Sequence, residues 1–189
     1  MLAAFCDACA STAQRLPARD QGDEGTIAGL AYGGAVAQAI VRLKYERRPD
    51  LARPLGDLLW RALEPHARGL SGVVVVPVPL HPSRLADRGY NQSALIASRV
   101  AHRLDASLCT RALARDRDTP QQATLDRQAR LANLAGAFRV RRAEPVRARH
   151  VLLVDDVRTT GATIDACAGA LLDAGARSVR SAVVAAAGS

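Results

Sequence analysis

The sequence predicts an α/β fold, a doubly wound and mostly parallel sheet with helices on both faces, on three observations. Residues 73–76 and 151–154 are continuous aliphatic runs without polar alternation, as in strands buried on both faces. Stretches with helical apolar stripes alternate with such runs along the chain. The 189 residues, 49% hydrophobic and 23% charged, suffice for one core without a disulfide framework.

Taken in order, residues 1–30 are poor in periodic apolar positions and carry Pro17, Gly22, Gly25 and Gly29, so they read as a loop-rich leading segment, with residues 31–189 as the domain. Residues 34–45 place Val36, Ile40 (or Ala39) and Leu43 on one helical stripe, closed around Pro49. A second helix is expected over 51–66, with Leu55, Leu58, Leu59 and Leu63 on one side. The strand at 73–76 runs into Pro77-Val78-Pro79, where the missing amide donors end the ladder and the chain must turn. Residues 91–104 read as helix, 108–112 and 138–142 as strand, 161–174 as helix, and 179–185 as the last strand. Such a sheet binds its ligand at the carboxyl ends of the central strands. Residues 115–136, rich in Arg, Gln and Asp, exceed an ordinary connection and read equally as a mobile lid or as a solvated surface helix.

Lys plus Arg total 26 against 18 acidic residues, a net charge of +8 that favours anionic partners. All but one of those cations are Arg, beside abundant Ala, a skew that fits GC-rich coding, and against it the lone Lys44 stands out. The aromatics, Phe5, Tyr32, Tyr45, Trp60, Tyr90 and Phe138, are too scattered for a base-stacking platform. No apolar run is long enough to span a bilayer. The amino end carries Asp7 and two cysteines where a signal peptide would need a basic start and an apolar run, so a cytoplasmic chain with reduced thiols is expected. Cys109 and Cys167 read as small buried residues. Neither the phosphate loop of kinases and GTPases nor the glycine turn of dinucleotide dehydrogenases occurs.

Chemistry concentrates in residues 151–163. After four apolar residues come two adjacent carboxylates, Asp155 and Asp156, which are costly side by side unless cations or hydroxyls meet them. A ribose diol, with Mg²⁺ alongside, suits them. Thr159, Thr160, Gly161, Ala162 and Thr163 then supply hydroxyls, a flexible glycine and the free amides of a helix start, a cradle for phosphate. Together these describe a site for a ribose 5-phosphate. Arg84 and Arg88, four apart, share a helical face and are candidates for a second phosphate group or a solvated basic turn.

This segment resembles the phosphoribosyl pyrophosphate (PRPP) motif of type I phosphoribosyltransferases. Further residues are similar to the ComF family, competence-associated proteins of that fold. They are residues 76–81 with Arg84 and 88–92; Arg115, Arg117, Thr119, Gln122, Leu125, Arg130, Asn133, Gly136 and Phe138; and Tyr32, Gly34 and 43–45. The resemblance covers roughly residues 5–185. It implies PRPP binding with Mg²⁺ and glycosyl transfer to a nucleobase-like acceptor with pyrophosphate release, in nucleotide metabolism or the use of imported DNA. It assigns Asp155 and Asp156 a catalytic and ribose-holding role, and makes Lys44, Arg84, Arg88, Arg117, Gln122 and Arg130 candidates for the pyrophosphate and the lid. Cys6 and Cys9 look like half of the zinc ribbon that relatives carry. The second pair is missing and no His is near, so zinc is not expected in the monomer, and a shortened chain is one explanation. The rival expectation is a non-catalytic competence factor that senses a nucleotide or holds single-stranded DNA, through Arg139, Arg141, Arg142, Arg147 and Arg149.

Overall fold

The computed structural model describes Thr12 and residues 26–117 and 136–187. Five strands form one sheet: β1 (Thr26–Ala31), β2 (Val74–Pro77), β3 (Ser107–Leu108), β6 (His150–Arg158) and β7 (Ser178–Ala186). Their order is β1-β7-β6-β2-β3, and every neighbouring pair is parallel. The helices are α1 (Gly34–Tyr45), α2 (Ala52–Leu63), α3 (Pro82–Arg88), α4 (Gln92–Leu104) and α5 (Ala162–Asp173). A separate antiparallel ribbon joins β4 (Leu113–Arg115) to β5 (Phe138–Val140).

The unbroken aliphatic runs are explained by the two cores they feed. Successive strand side chains point to opposite faces. Val75, Leu152, Val154, Ala182 and Val184 pack with Leu43, Leu59 and Ile96 from α1, α2 and α4. Their neighbours Val74, Val76, Val151, Leu153 and Val183 pack with Ile164, Cys167 and Leu171 of α5. Cys167 is fully buried, as expected of a small core residue. Among the described residues no helix is long and apolar enough to cross a membrane.

The crossover from β2 through α4 leads to β3 at one edge, while that from β6 through α5 leads to β7 on the other side. Strand order therefore reverses between β2 and β6, the switch point at which such sheets open a crevice at their carboxyl ends. Past Pro77 the two strands stay together through the Val78 amide, which donates to the Val154 carbonyl at 2.9 Å. The turn forced there leads into α3, with Pro82 in its first turn, His81 Nδ1 accepting from the Ser83 amide at 3.3 Å, and Gly89 in the left-handed conformation at its end.

Two expectations are corrected. Residues 26–30, read as loop, belong to β1, the edge strand beside β7. Gly29 is there for space rather than for a turn, because a Cβ at this position would lie 2.7 Å from the Val184 carbonyl oxygen. Gly29→Ala is accordingly expected to destabilise the chain by about 1–3 kcal/mol, an overpacking cost that a urea melt measures. The single strand expected over 108–112 is instead β3 and, past a turn, β4.

Candidate functional site

β6 carries the acidic pair. The strand runs two residues past Asp156, so Asp155 and Asp156 lie inside it, and Asp155 is still paired with Val183. Both are buried, Asp155 at 7% exposure and Asp156 at 2%, and the strand that the apolar run at 151–154 predicts continues through them. Each has a partner from another element. Ser93 Oγ, at the start of α4, donates to Asp155 Oδ1 at 2.7 Å. The Asp156 amide donates to the same oxygen at 2.9 Å. Lys44 Nζ, at the end of α1, lies 2.7 Å from Asp156 Oδ2, with 17% of its side chain exposed.

The electrostatics follow from this packing. Burial, reinforced by the charge of Asp156, pushes the Asp155 carboxyl up to about 7, against the opposing pull of Ser93 and Lys44. Burial alone would lower Lys44, but the attraction of Asp156 outweighs it and holds the ammonium above its ordinary value. The lone lysine is thus placed at the acids. Nothing in the spacing announces Ser93, whose signal is only its place two residues after Asn91. That asparagine caps α4 by accepting from the amides of Ser93 and Ala94 at 3.0 and 3.4 Å, and its Nδ2 donates to the Val78 carbonyl at 3.0 Å, tying the helix start to the end of β2.

Beyond the acids the chain enters the threonine bend. Thr159 is exposed, Thr160 and Thr163 are half-buried, and Gly161 and Ala162 are buried. Gly161 adopts φ +84 as the residue before α5, a conformation that favours glycine, and no side chain caps that helix. Its first amides lie toward the carboxyl end of the sheet with no side-chain cap among the described residues. The buried Nε of Arg158, just before the bend, has no hydrogen-bond acceptor among the described residues.

Arg84 and Arg88 both lie on α3, half-buried. The Arg88 guanidinium sits 5.5 Å from the centre of the Tyr45 ring, next in sequence to Lys44, and donates to Gln92 Oε1. Tyr90 Oη donates to the Leu43 carbonyl at 2.5 Å, so the end of α1 is braced from the α3–α4 junction. Arg117 is exposed beside the ribbon, its carbonyl accepting from Arg115 Nε at 3.3 Å. The ribbon brings the two ends of the 115–136 insertion together, Arg115 opposite Phe138. Gln122 and Arg130, like Cys6 and Cys9, lie outside the described residues. The basic run near 139–149 is divided: Arg139 and Arg141 face Asp116 at 2.6 and 3.9 Å, while Arg147 and Arg149 lie at the other end of the sheet.

A parallel sheet with an acidic pair and an uncapped helix start at its switch point defines a class of protein, and the chain belongs to the Phosphoribosyl transferase domain family, which matches residues 91–189. Within it the chain groups with the ComF proteins. It is 37% identical over 153 residues to the DNA utilization protein YhgH of Escherichia coli (strain K12), covering 79% of this chain and 66% of that one. It is 32% identical over 130 residues to Competence protein F of Haemophilus influenzae, covering 67% of this chain and 57% of that one. The chain thus spans about two thirds of the curated relatives it matches. The crystal structure of TT1426 from Thermus thermophilus is also similar, at 23% identity and a TM-score of 0.42, covering 70% of this chain and 72% of that one.

Proposed function

We propose that the chain binds PRPP at the switch point and transfers its phosphoribosyl group to a nitrogen nucleophile, releasing pyrophosphate. The observation that carries this reading is the meeting, in the carboxyl half of β6, of Lys44, Asp156, Asp155 and Ser93 near the start of α5, which no side chain caps among the described residues. The amides of α5 and the hydroxyls of Thr159, Thr160 and Thr163 receive the 5-phosphate, with the positive end of the helix dipole behind them. Arg158 adds a cation whose buried Nε lacks an acceptor among the described residues.

Ligand entry is an exchange of partners. The diphosphate draws the Lys44 ammonium off Asp156, and the ribose hydroxyls take its place on the carboxylate, so neither charge is left bare. Lys44, with Arg84 and Arg88 across from it on α3, then holds negative charge as it develops on the leaving pyrophosphate. Ionised Asp155 and Asp156 offset the positive charge that grows at C1. The hard oxygens of the two acids suit Mg²⁺ carried in on the diphosphate rather than a standing protein cage, and no group of three metal-ligating side chains occurs among the described residues. Bound there, the metal would supply further neutralisation of the leaving group.

Isothermal titration with PRPP and Mg²⁺ is expected to show saturable binding. The Asp155→Asn/Asp156→Asn variant should weaken it by at least about tenfold, since hydrogen bonds to charged acceptors are worth roughly 1.5–3 kcal/mol. Absence of heat with the native chain, or unchanged affinity in the variant, overturns the assignment. Pyrophosphate release on addition of candidate bases separates transfer from binding alone.

A further inference from the structure

We infer that the amino end of the sheet, opposite the switch point, is a docking face for the phosphodiester backbone of a nucleic acid. Arg149 precedes β6, Arg177 precedes β7 and Arg180 lies within β7. These elements are side by side: His150 pairs with Ser178, Leu152 with Arg180, and the Arg177 amide donates to the Arg149 carbonyl at 2.8 Å. Arg149 Nη2 reaches the Gly72 carbonyl at 3.3 Å, in the turn before β2. At Gly69 a Cβ would come within 3.4 Å of Arg180 Nη1, and at Gly175 one would lie 3.5 Å from Arg147 Cγ. Arg149 and Arg180 thus both reach the 69–72 turn before β2, while exposed Arg147 and Arg177 adjoin Arg149 by sequence and by strand pairing and exposed Arg68 belongs to the neighbouring 3₁₀ turn.

None of these five arginines pairs with an acid among the described residues, although Glu64, Glu144 and Asp173 lie on adjoining stretches. Several arginines elsewhere meet acids: Arg48 meets Asp50 at 2.7 Å, Arg99 and Arg103 meet Asp57 at 2.8 and 2.9 Å, and Arg139 meets Asp116 at 2.6 Å. Unpaired guanidinium groups on adjacent strands suit a run of phosphates, which such groups bind bidentately. Among the described residues these arginines have no exposed aromatic beside them of the kind protein partners and membranes use, and the exposed large apolar side chain on an adjoining stretch is Leu172, at the end of α5. From Arg149 to Asp155 the strand rises about 20 Å, so this face and the switch point can be occupied together. The inference therefore stands apart from the PRPP reading.

Fluorescence anisotropy of labelled oligo-dT against the full chain, titrated with salt, tests it. If five arginines release counterions, the logarithmic salt slope should be about −3.5. Arg149→Ala/Arg177→Ala/Arg180→Ala should lower that slope by about 2 and weaken binding by at least about tenfold, with PRPP binding unchanged. Thermal unfolding checks that the triple variant folds, and Arg177→Ala alone should reduce the slope by about 0.7. The inference is overturned if affinity and slope survive the substitutions, if Arg139→Ala/Arg141→Ala produces the loss instead, or if the chain binds anionic phosphatidylserine vesicles but not the oligonucleotide.

Discussion

Replacing Lys44 with Met is expected to lower the unfolding free energy by about 3–5 kcal/mol at pH 8, the penalty for removing one partner of a buried ion pair. Asp156 is 2% exposed and meets the Lys44 ammonium at 2.7 Å, so the variant leaves a carboxylate with no water to replace the lost cation. Methionine keeps most of the aliphatic stem, and packing changes contribute little. Lys44 holds its proton above its ordinary value, so its contribution is fully present below about 10.5 and is lost only as the pH passes the raised value. Adding Asp156→Asn to Lys44→Met should restore most of the loss, since no bare charge remains. Urea denaturation of the native chain, both single variants and the double variant gives the coupling directly. A loss below about 1 kcal/mol would mean that the pair behaves as a surface salt bridge, and the exchange of partners proposed for ligand entry would lose its energetic basis.

That pair also shows where the sequence stopped being informative. The runs at 73–76 and 151–154 announce their strands because residues buried on both faces leave no polar position to misread. The stripe of Val36, Ile40 and Leu43 announces α1 for the matching reason, one face against the sheet. β1 escapes notice because Gly29 is a turn signal in isolation and becomes a strand residue only through the nearby Val184 carbonyl. Lys44 attracts attention by its rarity, yet its bond to Asp156 is a long-range contact that no local pattern encodes. Ser93 is ordinary in a helix start until the fold aims it at Asp155. Close spacing misleads in the basic run, since Arg139 and Arg147 lie on separate elements with different neighbours.

Asp155→Asn is expected to raise stability at pH 8 by on the order of 2 kcal/mol and to flatten its dependence on pH. In the native chain burial and the charge of Asp156 raise this carboxyl from 3.8 to about 7. The folded state therefore binds the proton more tightly than the unfolded state. The stabilisation is fully present below about 3.8 and is lost as the pH climbs through about 7. Asparagine is the near-isosteric neutral substitute, and its Oδ1 can accept from both Ser93 Oγ and the Asp156 amide as the carboxylate does. Urea midpoints from pH 4 to 8 for both chains should diverge toward the alkaline end. Parallel profiles would show that the carboxyl titrates at its ordinary value and that its burial carries no electrostatic cost. The same titration bears on the ligand: a ribose hydroxyl donates to the ionised carboxylate, so PRPP affinity should rise through neutrality in the native chain and remain level in Asp155→Asn. On the proposed reading, a group held so close to its midpoint would let the site shed a proton as the sugar binds, which lowers the cost of keeping two acids buried side by side before a ligand arrives.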